Sequence, residues 1–416
     1  MPFPPHSGKR LRTYNIVTRL AQRHRIVYLC YGTSEEDRER AQLLARRFGL
    51  RFVLVEDTRD PKRTICYFLR VFLNLFSPRP FSSVHHFKKP YASSLQRVLA
   101  QEEFDLAVCE WTFLAGYFSA QVTVPTVLMA HNVERHLWER FAECNRNPIK
   151  RAFGQLQARK VRRFEAELCP RFDHCVAVSE GDCRTLISDY CLKSVSVTEN
   201  GVDLDYFKPC DLPSDPNQLV FTGAMDYFAN EDAVRFFVRK IFPIVQKANP
   251  RATFSIVGRN PSKRLFSLAS SHLGVEVSGT VPDVRGHIAS SGVYVVPLRI
   301  GGGTRLKILE AMAMGKAVVS TTVGAEGLEV HHGRDVILAD TPREFARAIL
   351  GLQTDADRRK AIGENARQKV EARYGWDAIV DRLEATLLTV AANKGRLPGT
   401  LGLAGQDGGR RGGDKL

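Results

Sequence analysis

RIGGGTRLKILEAMAMGKAVVST, running from Arg299 to Thr321, is the stretch on which the reading of the fold turns. Three consecutive glycines, Gly301 to Gly303, can bring bare backbone amides against a ligand, and the run that follows opens a helix whose unpaired N–H groups and positive dipole end aim at the same place. Arg305 and Lys307 add two full positive charges, and Glu310 lies about two helical turns in. Amides, dipole and cations suit a pyrophosphate, and a carboxylate suits the hydroxyls of a ribose. The strand patterns VYVVPL (Val293 to Leu298) and AVVST (Ala317 to Thr321) flank the run, so the loop sits at the carboxyl end of a strand in a βαβ unit, where open α/β sheets bind nucleotides. The plainer alternative is a glycine-rich turn with a solvated basic face. The strand, loop and helix context favours the nucleotide, while the absence of a Gly-Lys-Ser or Gly-Lys-Thr ending argues against a P-loop.

Outward from this motif the chain alternates short apolar strands with helical patterns. Strands are expected at Arg25 to Tyr31, Arg51 to Val55, Phe104 to Glu110, Thr126 to Ala130 and His174 to Val178, with helices at Glu35 to Phe48, Pro90 to Gln101 and Lys150 to Leu168. A Pro/Asp-rich connector, KPCDLPSDPNQ (Lys208 to Gln218), precedes a second series that begins with LVFTGA and continues through TFSIVG, VEVSG, VYVVP, AVVST and DVILA. The pattern predicts an α/β chain with parallel sheets. Its expected units are a first Rossmann-like domain over 1–205, a linker over 206–217, a second such domain over 218–375, a helix over 376–391 that crosses back to the first domain, and a disordered tail over 392–416. The first helix signal, GKRLRTYNIVTRLAQRH from Gly8, has no strand before it. A Rossmann domain normally begins with a strand that becomes central. Either the start lies upstream or the strand has been lost, and a lost central strand leaves its neighbours with unpaired backbone groups.

Composition bounds the function. A hydrophobic content of 44% and a charged content of 25% are ordinary for a soluble protein, and the chain contains no apolar run of the length that spans a bilayer. The first residues, MPFPPHSGKRLR, lack a signal-peptide core, so a cytoplasmic location is expected. Nine cysteines, none in a C-x-x-C pair, read as reduced and mostly buried thiols rather than as a metal site. Residues 1–200 hold 31 Lys and Arg against 21 Asp and Glu, or +10 of the net +15. A basic first half suggests anionic company, a phospholipid surface or a pyrophosphate-linked acceptor. Nucleic acid is not expected, because no helix-turn-helix, zinc module or aromatic-interleaved basic strand accompanies the charge.

GGGTRLKILEAMAMGKAVVSTTVGAEGL resembles the donor-site signature of family 4 of the retaining, nucleotide-sugar-dependent glycosyltransferases. PFPPHSGKRLRTYN, AHNVE (Ala130 to Glu134), AVSEGD, NGVDLDYFKP (Asn200 to Pro209) and FTGAMDYFANEDAVRFF (Phe221 to Phe237) resemble further family segments in the same order. The chain is similar to a subgroup of bacterial sugar transferases associated with exopolysaccharide gene clusters and the exosortase sorting system. The resemblance implies the GT-B fold, two facing Rossmann-like domains with the donor site in the cleft. By the same resemblance the helix-opening amides of Gly303, Thr304, Arg305, Leu306 and Lys307 hold the donor diphosphate, and Glu310 binds the ribose hydroxyls. Gly8 and Gly223 admit the ligand, and His131 contacts the transferred sugar. As an alternative, His131 is an ordinary strand-end residue.

Two departures weaken the donor site. A glutamate that many family members carry eight positions before the ribose-binding one is Gly302 here, and their Arg and Lys after the first strand of the second domain are replaced within Gly223, Ala224, Met225 and Asp226. Arg305 and Lys307 are expected to replace that pair. They point about 200° apart on a helix, so Lys307 has the stronger case if one alone reaches the diphosphate. The implied reaction is retaining and uses no metal and no cofactor beyond the nucleotide sugar itself. Its acceptor is a saccharide or a polyprenyl-pyrophosphate-linked saccharide, bound near basic RNPIKRAFGQLQARKVRRF (Arg146 to Phe164), with peripheral association to an anionic inner leaflet. ICYFLRVFLNLF (Ile65 to Phe76) is expected to pack a core rather than touch that membrane. The competing readings are a nucleotide-sugar 2-epimerase, whose catalytic carboxylates find no place here, and an inactive GT-B scaffold or partner subunit.

Overall fold

The computed structural model describes residues 2–3, 8–32, 34–56, 64–118, 122–145, 147–300 and 306–393. In the first half the helices are α1 (Gly8–Leu20), α2 (Glu35–Phe48), α3 (Ile65–Asn74), α4 (Phe81–His86), α5 (Lys89–Gln101), α6 (Glu134–Cys144), α7 (Pro148–Leu168) and α8 (Glu180–Tyr190). Its strands are β1 (Val27–Tyr31), β2 (Arg51–Val55), β3 (Ala107–Cys109), β4 (Thr126–Ala130), β5 (His174–Ala177) and β6 (Val195–Val197). Local chemistry sets several of these ends. Ser34 and Asp37 form a reciprocal capping box at the start of α2, and Gly49, at φ 70°, takes the left-handed turn that closes it.

The second half carries β7 (Asp215–Thr222), β8 (Thr253–Val257), β9 (Val275–Gly279), β10 (Ser291–Val296), β11 (Val318–Ser320) and β12 (Ile337–Leu338) in one parallel sheet of order β12-β11-β10-β7-β8-β9. Its helices are α9 (Phe228–Phe236), α10 (Phe242–Ala248), α11 (Lys263–Ser270), α12 (Arg285–Ser290), α13 (Leu306–Ala313), α14 (Pro342–Thr354) and α15 (Ala356–Arg373), followed by α16 (Trp376–Ala392). Every residue of β10 is buried, as a strand covered by helices on both faces requires. Phe221, Phe237, Phe242, Phe254 and Phe345 fill the core around it. β7 begins at Asp215, inside the segment expected to be linker. Asp215 pairs with Ser291 across a bulge, and Gly292 leaves the room that Pro216 occupies, since a Cβ there would lie 2.5 Å from Pro216 Cα.

The sheet of the first half is split. β1 pairs with β2, while β3-β4-β5-β6 forms a separate parallel sheet, and among the described residues no strand joins the two. Ile26 O accepts from Arg51 N and Gly32 N donates to Val55 O, so alternate residues of β1 turn to β2 and Leu29 turns to the open edge. There the Tyr91 hydroxyl donates to Leu29 O at 3.0 Å. Tyr91 stacks within 4.9 Å of Tyr31 and 4.6 Å of Tyr117 (ring centroids), and these rings form a cluster with Leu29 and Leu114. Side chains thus meet part of the hydrogen bonding along this edge of β1.

The halves are tied by α16 and α1. Trp376, Ile379, Val380 and Leu383 pack with Ile16 and Leu20 on α1 and with Val127, Met129 and Val176 on β4 and β5. Arg12 is 2% exposed and donates to the carbonyls of Thr198 and Glu199 and to Asn200 Oδ1, at 2.7 to 2.9 Å, pinning α1 to the segment that leads into the second half.

One expectation is reversed. Ile65 to Phe76 is not core. Of α3 only Asn74 is buried, and its large apolar side chains face outward. A helix whose apolar residues wrap most of its circumference, with only Arg70 and Asn74 polar, reads from sequence as buried, but the rest of the domain covers one narrow face of it. All nine cysteines are free thiols, five of them buried. Helix α16 runs to Ala392, into the tail expected over 392–416, and residues 394–416 lie outside the described residues.

Candidate active site

Helix α13 opens after the glycine loop that follows β10, at the carboxyl end of the sheet. Gly303, Thr304 and Arg305 lie outside the described residues. Leu306 begins the helix. A Cβ built on Gly8 would stand 3.3 Å from Leu306 Cδ1, so the first turns of α1 and α13 meet across the two halves.

Lys307 is the hub of the second-half side. Its Nζ donates to Asn230 Oδ1 at 2.8 Å and lies 3.9 Å from the centre of the Phe221 ring, near the end of β7. A Cβ on Gly223 would come within 2.7 Å of that Nζ, so the glycine is what lets the ammonium reach the mouth of the strand. Asn230 is buried, and its amide also donates to Ala224 O. It fixes the lysine without neutralising it. Glu310 follows one turn later on α13. Burial pushes its carboxyl up to about 7, and the Lys307 charge opposes that rise. Below it Tyr294, raised by burial and then by the Glu310 charge, bonds Thr222. A half-buried carboxylate one turn from a held cation can, when ionised, accept from hydroxyl donors beside an anion.

His131 belongs to the facing side. It is 8% exposed at the end of β4, and its Nε2 lies 3.3 Å from Oε1 of Glu110, at the end of β3. Thr13 Oγ1 donates to the same Glu110 oxygen at 2.7 Å. Burial alone would raise the Glu110 pKa, but the bonds from His131 and Thr13 and the Arg12 charge hold it below the ordinary carboxylate value. Gly8 and Thr13 are five residues apart on α1, about 7.5 Å of helix rise, so this helix links the His131 pair to the start of α13.

Sequence reasoning missed Glu110, Thr13 and Asn230. The available signal was positional, since Glu110 ends a parallel strand beside the strand that ends in His131. Two contacts bridge the halves further along. Arg140 on α6 makes a two-pronged pair with Glu326, each bond 2.5 Å, and Phe141 meets Phe228 edge-on at 5.7 Å.

Two Rossmann-like halves facing one another define the GT-B class of glycosyltransferase folds. Comparison with known proteins agrees. Residues 8–206 match the family described as Glycosyltransferase Family 4 and residues 216–355 the one described as Glycosyl transferases group 1. The chain belongs to family 4 of the glycosyltransferases. It is 21% identical over 291 residues to an uncharacterised 44.6 kDa protein in the cps region of Klebsiella pneumoniae, covering 68% of this chain and 74% of that one. It is 24% identical over 234 residues, 49% of this chain and 61% of the relative, to a GDP-mannose-dependent phosphatidylinositol monomannoside mannosyltransferase of Corynebacterium glutamicum. Among solved structures, HepE of Anabaena in complex with UDP superposes with a TM-score of 0.65 at 16% identity, covering 92% and 97% of the two chains. Sucrose-phosphate synthase of Thermosynechococcus elongatus gives 0.64 at 16%, covering 89% and 100%.

Proposed function

We propose that this chain transfers a sugar from a nucleotide-sugar donor to a saccharide or polyprenyl-pyrophosphate-linked acceptor, with retention of configuration, in the building of an exopolysaccharide or cell-surface glycan. The observation that carries the reading is the set of Lys307, Gly223, Asn230 and Glu310 at the opening of α13. Lys307 and the helix amides meet the diphosphate, and the Glu310 carboxylate accepts from the ribose hydroxyls. As the bond from the sugar's anomeric carbon to the diphosphate oxygen breaks, negative charge grows where these donors point. The acceptor hydroxyl bonds to that carbon on the same face and gives its proton to the departing oxygen. Charge neutralisation falls to the protein, so the reading needs no metal. His131 lies against the transferred sugar, and Glu110 is its positioning residue.

UDP and UDP-glucose occupy the HepE structures, and the mannosyltransferase relative is GDP-mannose-dependent, which supports a nucleotide sugar without choosing the base. The relative in a cps region agrees with the glycan side of the proposal. The enzyme works in the cytoplasm, at the anionic inner face of the membrane. An inactive scaffold is the second reading, and the split between β1 and β3 favours it. Calorimetric titration of the purified chain with UDP-glucose and GDP-mannose separates the two. Saturable binding of one donor, abolished in Glu310→Ala, is expected, and a folded chain that binds neither donor sinks the enzyme reading.

A further inference from the structure

Helix α3 and the turn after it present a run of large apolar side chains to solvent, and a contiguous apolar patch of this kind marks an interaction surface. Ile65, the first residue of the helix, and Phe76, two residues past its end, are 87% and 78% exposed, and Phe68, Leu69, Phe72 and Leu73 are between 56% and 59% exposed. The helix is nonetheless firmly held. Tyr67 packs edge-on against Phe81 and His85, and Gln157 Nε2 donates to Asn74 Oδ1 at 3.0 Å. Buried Lys160 on α7 donates to the carbonyls of Asn74 and Leu75 at the helix's C-terminal end, where a cation is favoured. One narrow face is fastened by a buried polar network, and the broad apolar face is left outward.

Charge says what covers it. From Pro61 to Gln101 the chain contains seven basic residues, Lys62, Arg63, Arg70, Arg79, Lys88, Lys89 and Arg97, and no Asp or Glu. Val84 and Phe87, on and just after α4, are exposed apolar side chains in the same segment. Apolar side chains set in an acid-free basic segment match an anionic lipid surface, which takes the rings into its acyl boundary and the cations at its head groups. A second copy of the chain fits poorly, because a two-fold contact would bring the basic segment against itself. We propose that α3 is the element by which this protein docks on an anionic phospholipid membrane.

The location suits the chemistry, and the inference rests on the membrane side of the function proposed above. Ring contacts run from Tyr67 to His85, His86 and Trp111 at centroid separations of 5.8, 5.3 and 4.7 Å, and Trp111 donates to Glu134, four residues from Ala130 at the end of β4. Docking through α3 therefore brings the acceptor-side half to the bilayer, where a lipid-linked saccharide presents its sugar.

The test is co-sedimentation of the full chain with phosphatidylcholine vesicles, with and without phosphatidylglycerol, comparing the parent with a Phe68→Ser, Phe72→Ser, Phe76→Ser variant. These side chains are exposed, so the variant keeps its fold. The parent is expected to sediment with the anionic vesicles, and the variant to lose on the order of 100-fold in partitioning. UDP-glucose and GDP-mannose titrations on the same samples are expected to be equal for parent and variant, so failure of the donor reading is seen separately. A parent that ignores anionic vesicles or binds neutral ones equally, a variant that sediments like the parent, or a parent dimer that the variant dissolves would each overturn the proposal.

Discussion

Lowering the pH from 8 to 6 should weaken the binding of a nucleotide sugar about tenfold, and Glu310 is the reason. In the free protein burial holds its carboxyl at about 7. Accepting two ribose hydroxyls needs the ionised form, so binding draws the pKa back toward the ordinary range and releases a proton. With a free-state value of about 7 the carboxylate fraction is roughly 0.9 at pH 8 and roughly 0.1 at pH 6, and the ratio of dissociation constants is about ten, or ~1.4 kcal/mol. Because Lys307 pulls the Glu310 pKa down, Lys307→Ala should move the midpoint above 7. The assay is calorimetry with a nucleotide sugar such as UDP-glucose, a pyrophosphate diester that does not itself titrate in this range, repeated in buffers of different ionisation enthalpy. Glu310→Gln should bind weakly and with a flat pH profile. Parental binding that is equally tight at pH 6 and 8, or tighter at pH 6, refutes the assignment of Glu310 to the ribose.

Four other outcomes are expected. Lys307→Ala should lower turnover on the order of 10²-fold or more while the chain stays folded, since the ammonium is held by the neutral Asn230 amide and the Phe221 face. The two glycines at the strand mouths should separate function from stability. Gly223→Ala displaces the Lys307 ammonium and should show first as lost donor affinity, whereas Gly258→Ala places a Cβ 1.7 Å from Gly223 O and should cost roughly 3 kcal/mol or more in urea unfolding. Arg12→Ala leaves the Thr198 and Glu199 carbonyls without their buried donor and should destabilise by about 3–5 kcal/mol, read as a shifted denaturant midpoint. Glu165 is 1% exposed, and burial pushes it to about 8 against the bonds it accepts from Tyr190 and the amides of Glu134 and Arg135. A pKa raised on folding gives stability that is complete below the unfolded value near 4.5 and is lost as pH rises through about 8. Melting curves from pH 5 to 9 should therefore fall more steeply for the parent than for Glu165→Gln, by roughly 3–5 kcal/mol over the range.

The second half of the chain was the more legible. Its strands carry near-continuous apolar runs, and its glycine loop sits between two of them, so period and punctuation alone placed β10, α13 and β11 and pointed to Lys307 and Glu310. The same signals placed α2 to the residue. What they could not foresee was how the open edge is handled, because Tyr91 reaches Leu29 across 62 residues of sequence.

By itself, then, the sequence determined what local order can encode. That is an alternating α/β chain, two series of strands with a proline-rich break between them, and a glycine run that opens a helix carrying a cation and a carboxylate in its first turns. Tertiary structure decided everything that depends on which strands lie side by side. The pairing of β3 with β4 brings Glu110 to His131, and the packing of α9 beside the end of β7 brings Asn230 to Lys307 over a separation of 77 residues. It decided as well that α3 faces outward. Hydrophobic residues around most of a helix give the same pattern whether the helix is enclosed by protein or by lipid, and only the neighbours that the fold supplies or withholds can tell the two apart.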